Sequence, residues 1–288
     1  MTFDDIENLI SLFFTIIGLL MCLFKYITNS KRRYLFLIAF FSLRFLSDYY
    51  WSVYQLVVGD TPNIKNYVSN LGWDIGYAVL LFIVIRYQKS AGKRFFHPLM
   101  LWPVLTNIPQ LILYLPYDAL WINLWEVSVT TLIMIFCMKD IIWCYKNRKS
   151  GTYTPHLAVL VLITHISEYG MWTTSCFDWG SELKSPYFYL NIISSISVIF
   201  YAWAMEADDE SDAVLAGGNE LEQRNLATVQ AILALVIFGG CFAGYYITQN
   251  IRASLPDIED VENYSGELIL ILLGISVVVV LMMLAILH

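Results

Sequence analysis

The stretch YLFLIAFFSLRFLSDYYWSVYQLV, residues 34–57, decides the fold class. A helix needs roughly 20 mainly apolar residues, at ~1.5 Å each, to cross the hydrocarbon of a bilayer, and this stretch has that length. It also carries Arg44, Asp48, Trp51 and Gln55 at three- and four-residue spacing, which places them on one helix face. Lipid cannot satisfy such a stripe, so it must face other helices or a wet cavity.

The rest of the chain repeats the pattern. Of 288 residues, 58% are hydrophobic and only 14% charged, with a mean hydropathy of +0.60. Soluble domains run near ~25% charged. The composition excludes a soluble fold, a disordered chain, a collagen-like fibre and a basic nucleic-acid binder. Apolar windows of spanning length occur at about 8–28, 34–57, 67–88, 98–116, 119–144, 156–177, 187–205, 226–248 and 267–287. The expected fold is all-α and polytopic: a seven-helix bundle over 1–205, an acidic linker over 206–225 and a two-helix transmembrane hairpin over 226–288.

Orientation follows from Lys and Arg in the short loops. One set of loops carries twelve: Lys25, Lys31, Arg32 and Arg33, then Arg86, Lys89, Lys93 and Arg94, then Lys139, Lys146, Arg148 and Lys149. The alternate loops carry three, Lys65, Lys184 and Arg252. The expected placement is a multi-pass protein of the cell membrane with its N-terminus extracellular, its C-terminus cytoplasmic and no cleaved signal peptide. The five cysteines make no metal or disulfide framework. In the hairpin, Gly240 and Gly244 form a small-residue seam that suits close helix packing within the chain or a homodimer contact.

Spans two to seven each carry a polar stripe. Arg44, Asp48 and Trp51 are followed by Trp73 and Asp74, then Asn107 and Gln110, then Glu126, then His165, Glu168 and Trp172, then Asn191. Most fall in the half of the span away from the basic loops, and the opposite halves are mainly Leu, Ile, Val, Phe and Met. This predicts a pocket open to the outside and closed below by an apolar plug. Four carboxylates against one Arg, beside tryptophan faces, suit an organic cation through Coulomb attraction and cation–π contact. The chain is therefore read as a sensor or receptor for a small polar ligand, with output passed to a partner protein. No cofactor and no nucleic acid are expected.

Two alternatives come from the same residues. Mid-membrane carboxylates also fit a proton-coupled transporter. Pro109-Gln110 resembles the dipeptide of the seven-helix PQ-loop transporters, which place it in two corresponding helices; here it occurs once, and the chain is assigned to no family on two residues. An intramembrane metal hydrolase needs three or four converging ligands, and only His165, with Glu168 and Asp48, offers a start. A retinal protein is rejected, because 187–205 contains no lysine for the Schiff base.

Overall fold

The computed structural model describes residues 3–213 except 59–61, 63–67, 115–119, 148–153 and 181–183. The expected hairpin, the Gly240–Gly244 seam and most of the linker lie outside the described residues. Those described form helices and connecting turns only: α1 Phe3–Asn29, α2 Arg33–Val58, α3 Val68–Tyr87, α4 Trp102–Tyr114 preceded by a 3-10 turn Pro98–Leu101, α5 Leu120–Lys146, α6 His156–Ser175, α7 Pro186–Ile199 and α8 Tyr201–Ala213.

Three helices are long and apolar enough to cross a membrane, over Ile6–Asn29, Ser69–Tyr87 and Ile122–Lys146, and α7 with α8 makes a fourth if the bent pair is one span. Fewer helices meet this measure than the seven expected over the same residues. The reason is physical: α2 and α6 match the length but carry the stripes around Arg44 and His165, and α4 has only 13 residues with Pro109 inside it. Lipid contact is compatible with the surface. Outward-facing side chains include Phe13, Leu20, Phe24 and Ile27 on α1, and Leu105, Ile108 and Ile112 on α4, each row at helical spacing and Ile27 as much as 75% exposed.

Sequential helices pack side by side. Helix α1 lies on α2, α2 on α3, α3 on α5, α5 on α6, α6 on α7, and α7 returns to α1. Helix α4 lies on α5 and is tied to α6 by Gln110 Nε2, which donates to Tyr169 O at 3.0 Å, and by the Tyr169 hydroxyl, which donates to Thr106 O at 3.1 Å. Close approach of α2 and α3 depends on Gly72, where a Cβ would land on Ser47 Oγ and the Leu43 carbonyl.

The apolar core fills the half of the molecule nearer the basic loops. Phe36, Phe40 and Phe41 from α2 meet the unbroken buried run Ile75–Ile85 of α3 and Tyr201 and Met205 of α8. Phe40 stacks on Tyr201 with centroids 6.0 Å apart. Between α7 and α8 the axis turns by 44° at Phe200. Just before the bend, Ser197 Oγ donates to Ser194 O at 2.7 Å, placing a side-chain donor against a carbonyl of the helical ladder.

The acidic stretch after Met205, read from sequence as the start of a linker, continues α8 and fastens it to the basic ends of its neighbours. Lys25 Nζ donates to Glu206 at 2.6 Å. Asp208 accepts from the His156 and Leu157 amides at 2.9 and 3.0 Å, which supplies acceptors for otherwise unpaired N–H groups of α6. The His156 imidazole lies 3.0 Å from the same carboxylate. Lys89 Nζ donates to the Asp208 carbonyl at 3.1 Å.

Candidate functional site

At the end of the molecule opposite those basic ends, the helices enclose a cavity of about 260 Å³. Side chains reach it from the first turns of α1, α3, α5 and α7, from the middle of α2 and from the last turns of α4 and α6. Polar residues far apart in sequence therefore meet around one cavity.

Helix α2 contributes Arg44, Asp48, Trp51 and Ser52. Arg44 is the centre of a three-member ion group. Its NH1 donates to Glu168 Oε1 of α6 at 3.1 Å, and its Nε stands 3.8 Å from Asp48 Oδ2 one turn along α2. Both oxygens of Asp48 are otherwise filled: Thr15 Oγ1 donates at 2.7 Å and Trp73 Nε1 at 2.8 Å. Glu168 Oε1 also accepts from Ser194 Oγ at 3.2 Å. Glu168 Oε2 differs. The Tyr77 hydroxyl stands beside Glu168, yet Oε2 has no partner in hydrogen-bonding geometry, although the side chain is only 7% exposed.

Asp74 of α3 and Glu126 of α5 line the same cavity. Asp74 lies within reach of the Glu126 charge, and Glu126 within reach of that of Glu168. Neither carboxylate has a hydrogen bond or ion pair among the described residues. The walls beside them are aromatic: Trp51 and Trp73 pack at 5.6 Å between centroids, and Trp172 meets Tyr187 edge-on at 6.3 Å. Tyr114 also lines the cavity, and its buried Oη has no hydrogen-bond partner among the described residues. With all carboxyls ionised, the lining holds four negative charges, Asp48, Asp74, Glu126 and Glu168, against Arg44.

Nine of the twelve candidate residues from sequence face the cavity: Arg44, Asp48, Trp51, Trp73, Asp74, Glu126, Glu168, Trp172 and Asn191. Three do not, and each is used in packing. Asn107 Nδ2 donates to Thr131 of α5. Gln110 holds α4 on α6. His165 turns Nδ1 to Val161 O at 2.9 Å and packs edge-on against Tyr77. His165 therefore does not pair with Glu168; Arg44 does.

Helix α1 adds Asn8 and Ser11 to the lining, which the sequence reading leaves aside. The signal was there: Glu7, Ser11 and Thr15 recur at four-residue spacing, and all three make cross-helix contacts. Asn191 Nδ2 donates to Glu7 at 2.6 Å, Ser11 and Ser195 share a hydrogen bond at 3.2 Å, and Thr15 meets Asp48. Among the described residues, no three His, Cys, Asp or Glu side chains converge as metal ligands would. Comparison with known proteins finds no family model that matches this chain and neither a curated protein nor a solved structure similar to it.

Proposed function

We propose that this chain is a multi-pass protein of the cell membrane that binds a small organic cation in its cavity and passes the binding on to a partner, as a sensor or receptor does. The observation that carries this reading is the pair Asp74 and Glu126. Both face the cavity and repel one another, and no protein cation or donor among the described residues answers them. A bound ammonium would supply both charge and donors, and the indole faces of Trp51, Trp73 and Trp172 accept an alkylammonium better than a strongly hydrated metal ion. The Lys and Arg bias of the loops supports placing the cavity mouth outside and the α8 end in the cytoplasm.

The test is a thermal-shift screen of amines, amino acids and divalent metals on the purified protein. Stabilisation by amines that Asp74→Asn and Glu126→Gln both remove is the expected result. Stabilisation by metals alone, or by anions, would overturn it.

A second reading, a proton-coupled transporter, draws on one observation: the bend at Phe200. Broken helices recur in transporters beside their central sites. Beneath the cavity the bend adjoins a buried hydroxyl cluster, where Tyr201 Oη donates to Thr164 Oγ1 at 2.8 Å and Thr164 meets Ser197 at 2.6 Å. Uptake of the stabilising amine into sealed proteoliposomes, driven by a pH gradient, would favour this reading over the receptor.

A further inference from the structure

The connection between α3 and α4 carries positive charge that no carboxylate among the described residues answers. Lys93 and Arg94 are exposed, and neither side chain has a hydrogen bond or ion pair there. Lys146, also exposed at the end of α5, joins them: its Nζ lies over the Phe95 ring, 5.2 Å from the centroid. Other cations of the same end are engaged, Lys25 by Glu206, Lys89 by the Asp208 carbonyl and Arg33 by the Met205 carbonyl. Asp140, a carboxylate that the connection does bind, is buried and takes the Ser90 amide at 2.7 Å.

An apolar track begins beside this basic group. Phe96 is exposed, and Leu101, Leu105, Ile108 and Ile112 follow it on one helical face, all exposed. From 101 to 112 the track rises about 16 Å at ~1.5 Å per residue, close to half of the ~30 Å hydrocarbon. An acyl chain laid along it stays within one leaflet, and the basic group then falls at that leaflet's headgroup level. The row Phe13, Leu20, Phe24 and Ile27 of α1 also meets lipid, but Lys25 beside it is already paired with Glu206.

We propose that the α4 face and the connection before it form a site for one anionic phospholipid, with the phosphate on Lys93, Arg94 and Lys146 and an acyl chain along the α4 track. Charge complementarity selects the class: a zwitterionic headgroup brings its own ammonium to the same three cations. The proposal is independent of what the cavity holds.

In the experiment, the full chain in neutral detergent is mixed with equal amounts of phosphatidylglycerol and phosphatidylcholine of identical acyl chains. Native mass spectrometry identifies the lipid that stays bound. Each basic residue near an anionic surface strengthens association by about fivefold, so phosphatidylglycerol should be retained at least tenfold over phosphatidylcholine. Lys93→Gln with Arg94→Gln should lower that ratio by roughly tenfold or more, and exposed, unpaired side chains are replaced without loss of folding. Lys31→Gln with Arg32→Gln, in the α1–α2 turn, should leave the ratio nearly unchanged. Equal retention of the two lipids by the native chain would overturn the site, and this comparison needs no variant. A preference that survives loss of Lys93 and Arg94, or falls as far on loss of Lys31 and Arg32, would overturn it too. So would equal retention of glycerophosphoglycerol, the headgroup without its chains, because the site would then bind a free phosphate ester.

Discussion

Replacing Arg44 with Met leaves Asp48 and Glu168 facing each other with no cation between them. At an effective dielectric near ~20, the contacts at 3.1 and 3.8 Å correspond to gross attractions of about 5 and about 4 kcal/mol. Desolvation of the guanidinium opposes them, and relaxation with water entry limits the loss. Breaking a buried pair by deleting one member costs ~3–5 kcal/mol in measured cases. At ~2–4 °C per kcal/mol for a protein of roughly this size, Arg44→Met should lower the melting temperature by about 6–20 °C. Glu168→Gln alone should cost less, because Arg44 retains Asp48. The double variant should be less destabilised than the sum of the singles by about 1–3 kcal/mol, since it removes cation and anion together while Asp48 keeps Thr15 and Trp73. The assay is thermal unfolding in detergent, followed by tryptophan fluorescence and by monodispersity on gel filtration. Additive losses in the double variant would refute the ion group.

Asp208→Ala removes the acceptor of two α6 amides and the partner of His156; it should cost about 1–2 kcal/mol, whereas Glu206→Ala, whose Lys25 pair is partly exposed, should cost under ~1 kcal/mol. Gly72→Ala should destabilise by about 1–3 kcal/mol by overpacking, while Gly76→Ala, where a Cβ finds its nearest neighbour at 3.8 Å, should stay near neutral; equal effects at both would contradict the α2–α3 packing. Cysteines introduced beside Lys31 should react with an impermeant reagent only in permeabilised cells, and labelling of intact cells would reverse the proposed orientation.

Helix positions were legible because two strong periodicities coincide: spanning length and a polar stripe at three or four residues. Arg44, Asp48, Glu126 and Glu168 stood out for the same reason, since a charge within an apolar helix has few places to go. Pairing within one helix was legible, since the four-residue spacing of Arg44 and Asp48 predicts the contact found at 3.8 Å, but pairing between helices was not. Whether Glu168 meets His165 on its own helix or Arg44 on another depends on the rotational phase of α2 against α6, and spacing along one chain segment is silent on that. Asn107 and Gln110 share the period of the cavity residues yet face α5 and α6, because α4 packs outside the circuit that α7 closes onto α1. The bend at Phe200 was hidden for a further reason. Serines are common in apolar helices and often donate to a carbonyl of the preceding turn, as Ser47 and Ser52 do in unbroken α2, so Ser197 alone does not mark a bend. Glu206 and Asp208 read as solvated acids until the basic ends of α1, α3 and α6 were seen around them.

The central claim is that the cavity is acidic and selects cations, and Cys176 is placed to report on it. This thiol lines the cavity and is half-buried, whereas Cys22, Cys137 and Cys144 are fully buried. With Cys241→Ser as background, the rates at which a cationic and an anionic methanethiosulfonate modify Cys176 are measured, each normalised to its rate with free cysteine. One excess negative charge at ~5 Å in water-like surroundings separates the two reagents by roughly 1.7 kcal/mol, or about 17-fold. The account predicts a normalised preference for the cationic reagent of at least tenfold, reduced by Asp74→Asn and by Glu126→Gln. Equal normalised rates, or faster modification by the anionic reagent, would contradict it.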